Sequence, residues 1–273
     1  MVEVQPGVSL HVHRWDGRRR PYLLVHGLAS NARLWDGVAA RLAGAGHTVV
    51  AVDQRGHGRS DKPDDGYSVT QCADDLAELI GRLELDRPVV AGQSWGGNVV
   101  LQLAWKHPGL VHAIALVDGG WIRLEASYPT WEACATALRP PALTGTPATR
   151  LRAAIRATHP DWTDDGVDAT IASFERIDDG TVRPWLTLDH HLLILRDLWD
   201  HDPRDLYGDV RVPVLLVPAD HGDGDAMAGK RQAVAEAMAA LPDGRVHWFG
   251  PPADHDLHAQ HPDELAGLLL ELS

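Results

Sequence analysis

Pro88-Val89-Val90-Ala91-Gly92-Gln93-Ser94-Trp95-Gly96 is the stretch on which the reading of this chain turns. It begins as a short apolar run of strand character. It passes through G-x-S-x-G, and Asn98 to Trp105 then carries a helical pattern. A serine on so tight a strand-to-helix turn projects its hydroxyl from the strand end, where a nucleophile has to stand. The turn is strained, and a side chain at Gly92 or Gly96 would strike the neighbouring strand or helix. G-x-S-x-G alone is weak in a chain with 26 glycines. The flanking strand and helix give it weight.

Working outward, continuous apolar runs alternate with amphipathic segments. Strands are expected at 22–25, 48–52, 88–91, 113–117, 212–217 and 245–249. Helices are expected from about 34 to 42, from a Ser68 cap to about Leu85, over 98–105, 228–241 and 263–272. Strands without polar alternation, separated by helices, imply a mostly parallel sheet covered on both faces. The rhythm breaks at about residue 120. From Trp121 to about Tyr207 the text is loop-rich and helical, with five tryptophans and seven prolines. The expected organisation is an α/β core of residues 1–120 and 206–273, with 121–205 inserted as a helical lid.

The chain has 273 residues and a formal net charge of −13, which argues against nucleic acid and anionic membrane surfaces as partners. Cys72 and Cys134 lie far apart and fit no zinc spacing, so two buried thiols are expected. Met1 to Gly7 has neither a basic start nor an apolar stretch, and no run approaches membrane-spanning length. These features together lead us to expect a cytoplasmic protein, monomeric or homodimeric, acting on a small molecule.

A serine hydroxyl needs a base, and the base needs an orienting carboxylate. Of 16 histidines, His255 is placed best. It follows the final strand, in Phe249-Gly250-Pro251-Pro252-Ala253-Asp254-His255, and precedes the last helix, which puts it at the same sheet edge as Ser94. His258 and His261 share its spacing. No carboxylate-plus-histidine metal motif accompanies them, so no metal and no cofactor are expected. Asp53 and Arg55 are read as fixing a loop, and Asp189-His190-His191 as part of the lid.

Four pieces jointly resemble the α/β-hydrolase superfamily, in its lidded esterase- and lactonase-like branch. They are His26-Gly27-Leu28, Asp53-Gln54-Arg55-Gly56-His57-Gly58-Arg59-Ser60, the Ser94 turn and His255. The resemblance spans nearly the whole chain. It implies a Ser94–His255 pair and an oxyanion hole made by the Leu28 and Trp95 amides. The acid is open between two positions. The usual G-x-x-D after the 212–217 strand is broken: Ala219 replaces the glycine and Gly222 falls where the aspartate belongs, although Asp220 lies nearby. The other position in such families is the end of the strand after the nucleophile helix, where Asp118 stands. Asp118 is favoured and Asp220 is the alternative.

The expected activity is cofactor-independent cleavage of a carboxylic ester or lactone through an acyl-enzyme. Serine at the nucleophile position speaks against dehalogenase and epoxide hydrolase chemistry, where such folds use aspartate. Lid tryptophans, Trp121 and Trp185 foremost, either offer flat walls to a bulky apolar or aromatic substrate or pack the lid on the core. Carbon–carbon bond hydrolysis of β-diketone-like compounds and ligand sensing with negligible turnover are the competing readings.

Overall fold

A computed structural model describes residues 1–273. The N-terminal segment folds as a β1 (Val2–Gln5) and β2 (Val8–Leu10) hairpin followed by β3 (Val12–Trp15). The sequence reading assigned no strand there, because these runs are three or four residues long and interrupted by His and Arg. The core continues through β4 (Arg19–Val25), α1 (Asp36–Gly44), β5 (His47–Val52), α2 (Val69–Arg82), β6 (Val89–Gln93), α3 (Trp95–Lys106) and β7 (Ala113–Val117). The Ser68 hydroxyl accepts from the Gln71 amide and caps α2 as expected.

The segment after β7 holds α4 (Leu124–Ser127), α5 (Trp131–Ala137), β8 (Thr146–Pro147), α6 (Ala148–Thr158), α7 (Asp164–Ile171), β9 (Phe174–Arg176), β10 (Thr181–Pro184), α8 (Leu188–Asp200) and α9 (Arg204–Tyr207). It is not purely helical: β8, β10 and β9 form a small antiparallel sheet. The β9–β10 turn is built on Asp179, whose carboxylate accepts from both the amide and the hydroxyl of Thr181. The core resumes with β11 (Val214–Val217), α10 (Asp225–Ala240), β12 (Gly244–Val246), α11 (Leu257–Gln260) and α12 (Pro262–Leu270).

The central sheet has the order β12-β11-β7-β6-β4-β5-β3, parallel except for β3. Its period-2 alternation feeds two cores. Leu23, Val25, Val50, Val90, Ile114 and Leu116 face α2, α3 and α10, whereas Tyr22, Leu24, Val49, Ala91 and Ala115 face α1 and α12. Strand order reverses between β4 and β6: the chain goes from β4 outward to β5, then returns to β6 on β4's other side. Open α/β sheets bind ligands at the strand carboxyl ends beside such a reversal. Here those ends carry His26-Gly27-Leu28 and Ser94.

Candidate active site

Ser94 has φ 54° and ψ −126°, a left-handed backbone that a serine takes only when its surroundings impose it. They do so from both sides. The Ser94 amide donates to the Val117 carbonyl at 2.9 Å, and its carbonyl accepts from Gly97 at 2.8 Å. A Cβ on Gly92 would overlap the Gly96 carbonyl, and one on Gly96 would overlap the His26 carbonyl. The elbow therefore fits only where glycines let strand, helix and the β4 loop close on one another.

His255 and Asp118 meet at this same edge. His255 Nδ1 donates to Asp118 Oδ2 at 2.6 Å, and Gln93, the residue before Ser94, donates through Nε2 to the His255 carbonyl at 3.2 Å. No hydrogen bond joins Ser94 Oγ to His255; such bonds often tighten only once substrate is bound. The imidazole is half-exposed, whereas Asp118 is buried. Partial desolvation works against protonating His255, but the Asp118 hydrogen bond outweighs it and holds the imidazole above its ordinary pKa.

Asp118 is itself surrounded by donors. Burial opposes its ionisation. The His221 ring 3.6 Å from Oδ2, the His255 hydrogen bond and the ammonium of Lys230 prevail, and keep the carboxyl far below the usual carboxylate range. Its Oδ1 also accepts from the Ala219 amide at 3.0 Å. Asp220 faces elsewhere: it accepts from Gly222 N at 2.8 Å and pairs with Arg231 at 3.0 Å near the surface. Neither His221 nor Lys230 stood out in the sequence. The one available signal was that Lys230 is among only three lysines beside 22 arginines.

The Leu28 and Trp95 amides lie on the two sides of the strand reversal, and Trp95 is the first residue of α3, whose N–H has no partner one turn back. The Leu28 loop is held by two buried imidazoles. His57 donates from Nδ1 to the Arg55 carbonyl at 2.9 Å, and its Nε2 accepts from the Ala29 amide at 3.1 Å. His26 donates from Nδ1 to Gly27 O at 2.7 Å and accepts from Gln54 N at 3.0 Å. Burial pushes both pKa values down, so both rings are neutral and can accept those amides. Asp53 anchors the next turn, accepting from Ala32 N at 2.8 Å, Arg59 N at 3.1 Å and His11 at 3.1 Å; these partners overcome burial and bring it down to about 2. Arg55 forms a buried two-pronged pair with Asp75, both bonds 2.6 Å. Asp53 and Arg55 thus brace loops.

A cavity of about 560 Å³ opens beside the Leu28 loop, at Ala29, Ser30 and His57. Its far wall comes from the segment between β7 and β11, including Leu143, Phe174, Trp185 and Leu186. Ser94 does not line it. Of the tryptophans expected to form substrate walls, only Trp185 does, with Lys62 Nζ 4.9 Å from its ring centroid. Trp121 is corrected: it is 5% exposed and packed into the core. Trp131 packs edge-on against Trp199, and Trp162 donates to Asp254 at 2.8 Å. The three C-terminal histidines diverge. His258 is fully buried against Trp35, and His261 lies against Phe249. His190 and His191 likewise part, the first to Tyr67 and the second to the Leu138 carbonyl. Cys72 and Cys134 are buried free thiols. No helix is long and apolar enough to cross a membrane.

Residues 22–268 match the model of the alpha/beta hydrolase family. A 2-(acetamidomethylene)succinate hydrolase of Mesorhizobium japonicum is 40% identical over 96 residues, 35% of this chain and 34% of that protein. The aligned part spans about a third of the curated relatives' lengths. The crystal structure of an E-2-(acetamidomethylene)succinate hydrolase superposes with TM-score 0.80 at 26% identity, over 97% of this chain and 95% of that one. An enol-lactonase from Burkholderia xenovorans superposes with TM-score 0.69 at 22% identity, over 97% and 96%. With a fold and a strand-end serine of this kind, and a match over nearly its whole length, the chain belongs to the alpha/beta hydrolase family.

Proposed function

We propose that this hydrolase is a serine enzyme that cleaves a carboxylic ester or lactone through an acyl-enzyme, with Ser94 as nucleophile, His255 as base and Asp118 as its orienting acid. The observation that carries the proposal is the 2.6 Å bond from His255 Nδ1 to Asp118 at the edge that holds the strained Ser94. That bond fixes the tautomer with the proton on Nδ1, so Nε2 is the free base. His255 takes the Ser94 proton as Oγ adds to the substrate carbonyl. The Leu28 and Trp95 amides hold the oxyanion. The tetrahedral adduct expels the alcohol, which receives that proton from His255. Water activated by the same imidazole then releases the acid and frees Ser94.

The enol-lactonase among the similar structures supports this class of bond. The apolar cavity beside the Leu28 loop favours a substrate with a bulky apolar part, and the segment over it acts as the lid, residues 121–205. Labelling with a fluorophosphonate tests the reading. Wild type should label and Ser94→Ala should not. A panel of aryl esters and lactones read by proton release should show Ser94-dependent turnover. Labelling that persists in Ser94→Ala, or no turnover on any member, overturns it.

A further inference from the structure

The Asp118 carboxylate carries a full cation as well as the His255 imidazole. Lys230 Nζ, on α10, lies 2.8 Å from Asp118 Oδ1 and 2.9 Å from Oδ2. It also donates to the Ala219 carbonyl at 3.1 Å and to His221 Nε2 at 2.8 Å. His221 Nδ1 donates to the Ala253 carbonyl at 2.6 Å, so its Nε2 carries a lone pair facing the ammonium. Nζ thus has four acceptors within hydrogen-bond distance for three N–H donors, so at least one N–H is shared between two of them. Lys230 is only 18% exposed at its side chain.

We propose that Lys230 is a positioning residue that locks the Asp118 carboxylate in one rotamer and shares its negative charge, leaving Oδ2 aimed at His255. The proposal rests on the triad reading for its bearing on catalysis, but the Asp118–His255 pair exists whether or not Ser94 turns over substrate. Two effects follow. The lock holds the imidazole's orientation. The ammonium also weakens the support that Asp118 gives to a protonated His255, so His255 becomes a free base at a lower pH than Asp118 alone would allow. The other groups facing this pair are His221 from the loop after β11, Asp256 beside His255 and the buried His258 of α11; His159 reaches the loop through Asp254. Lys230 is the one permanent cation bonded to Asp118.

The test is Lys230→Met beside Lys230→Arg. The readouts are the His255 titration by NMR of the folded protein and the pH dependence of kcat/KM. In Lys230→Met the His255 midpoint should rise by about one pH unit, and the acid limb of kcat/KM should move with it. kcat should fall with KM little changed. Lys230→Arg keeps the charge and should return the midpoint toward wild type. A midpoint that stays put in folded Lys230→Met overturns the proposal, as does an equal rise in both variants. Should the Met variant not fold, Lys230→Gln keeps a donor without the charge and carries the same test. If wild type shows no Ser94-dependent turnover, the hydrolase reading fails, while the NMR titration still decides the role of Lys230.

Discussion

Replacing Asp118 by asparagine exchanges one oxygen for an NH2 group and should cost most of the activity. In the native site Oδ2 accepts the His255 Nδ1 proton at 2.6 Å, while Oδ1 accepts from Ala219 N at 3.0 Å and Lys230 reaches both oxygens. An asparagine keeps its carbonyl toward the Ala219 and Lys230 donors. Its NH2 then faces His255 and can only donate. Nδ1 has to become the acceptor, the ring proton moves to Nε2, and the nitrogen proposed to take the Ser94 proton can no longer do so. Losing the tautomer in this way should lower kcat by about 10³–10⁴-fold, equivalent to about 4–5.5 kcal/mol of transition-state stabilisation. Asp220→Asn is the control. Its exposed pairing with Arg231 and its bond from Gly222 lie off the His255 path, so kcat should stay within about twofold. Both variants are assayed for kcat and KM on the best ester of the panel, with urea unfolding to establish that they are folded. A folded Asp118→Asn that keeps more than about a tenth of wild-type kcat, or an Asp220→Asn that loses as much as the Ser94 variant, refutes the assignment.

Because Asp118 raises the His255 pKa above the ordinary 6.5, kcat/KM should fall on the acid side with a midpoint above 6.5; a midpoint at or below that value contradicts the pairing. His258 is buried against Trp35 with neither ring nitrogen bonded, and burial pushes it down to about 4. The unfolded chain takes up this proton first, so stability is present above pH 6.5 and is lost as pH falls toward 4, by roughly 3 kcal/mol at the most. His258→Phe should reduce that pH dependence without abolishing it, because burial also lowers His26 and His57, and should gain about 1–3 kcal/mol at pH 7 by removing an unpartnered buried donor. Arg55→Ala strands the buried Asp75 carboxylate, both side chains being 2% exposed, and should cost about 3–5 kcal/mol in urea unfolding. A loss below about 1 kcal/mol would mean that the pair is not buried in solution.

The parts of this protein legible without coordinates were those whose cause is local. A serine between a strand and a helix, flanked by Gly92 and Gly96, is constrained by its own immediate neighbours, so Gly92–Gly96 announced the elbow. Val49–Val52 and Ala113–Val117 are apolar at every position because both faces of a parallel strand are covered, and that pattern needs no partner to be read. His255 stood out because it lies in the loop between the last strand and the last helix, where the resemblance to α/β-hydrolases expects a histidine. The hairpin and edge strand at residues 2–15 were missed because runs of three or four residues are too short for their alternation, Val2 with Val4 and Val8 with Leu10, to stand out. The small β8–β10–β9 sheet inside the inserted segment was missed for the same reason.

Sequence by itself settled the parallel strands of the sheet and the elbow at its carboxyl edge. It favoured Asp118 over Asp220 only as the better of two candidates, and did not see Lys230. That choice depends on where the ends of β7 and β11 lie side by side, which brings Ala219 and Lys230 onto a carboxylate about a hundred residues earlier in the chain. It could not tell Trp185, at the cavity, from Trp121, in the core, because an indole reads the same in either place until packing assigns its face. Local sterics are written along the chain, whereas the direction in which a side chain finally points is set by contacts between segments that the chain order keeps apart.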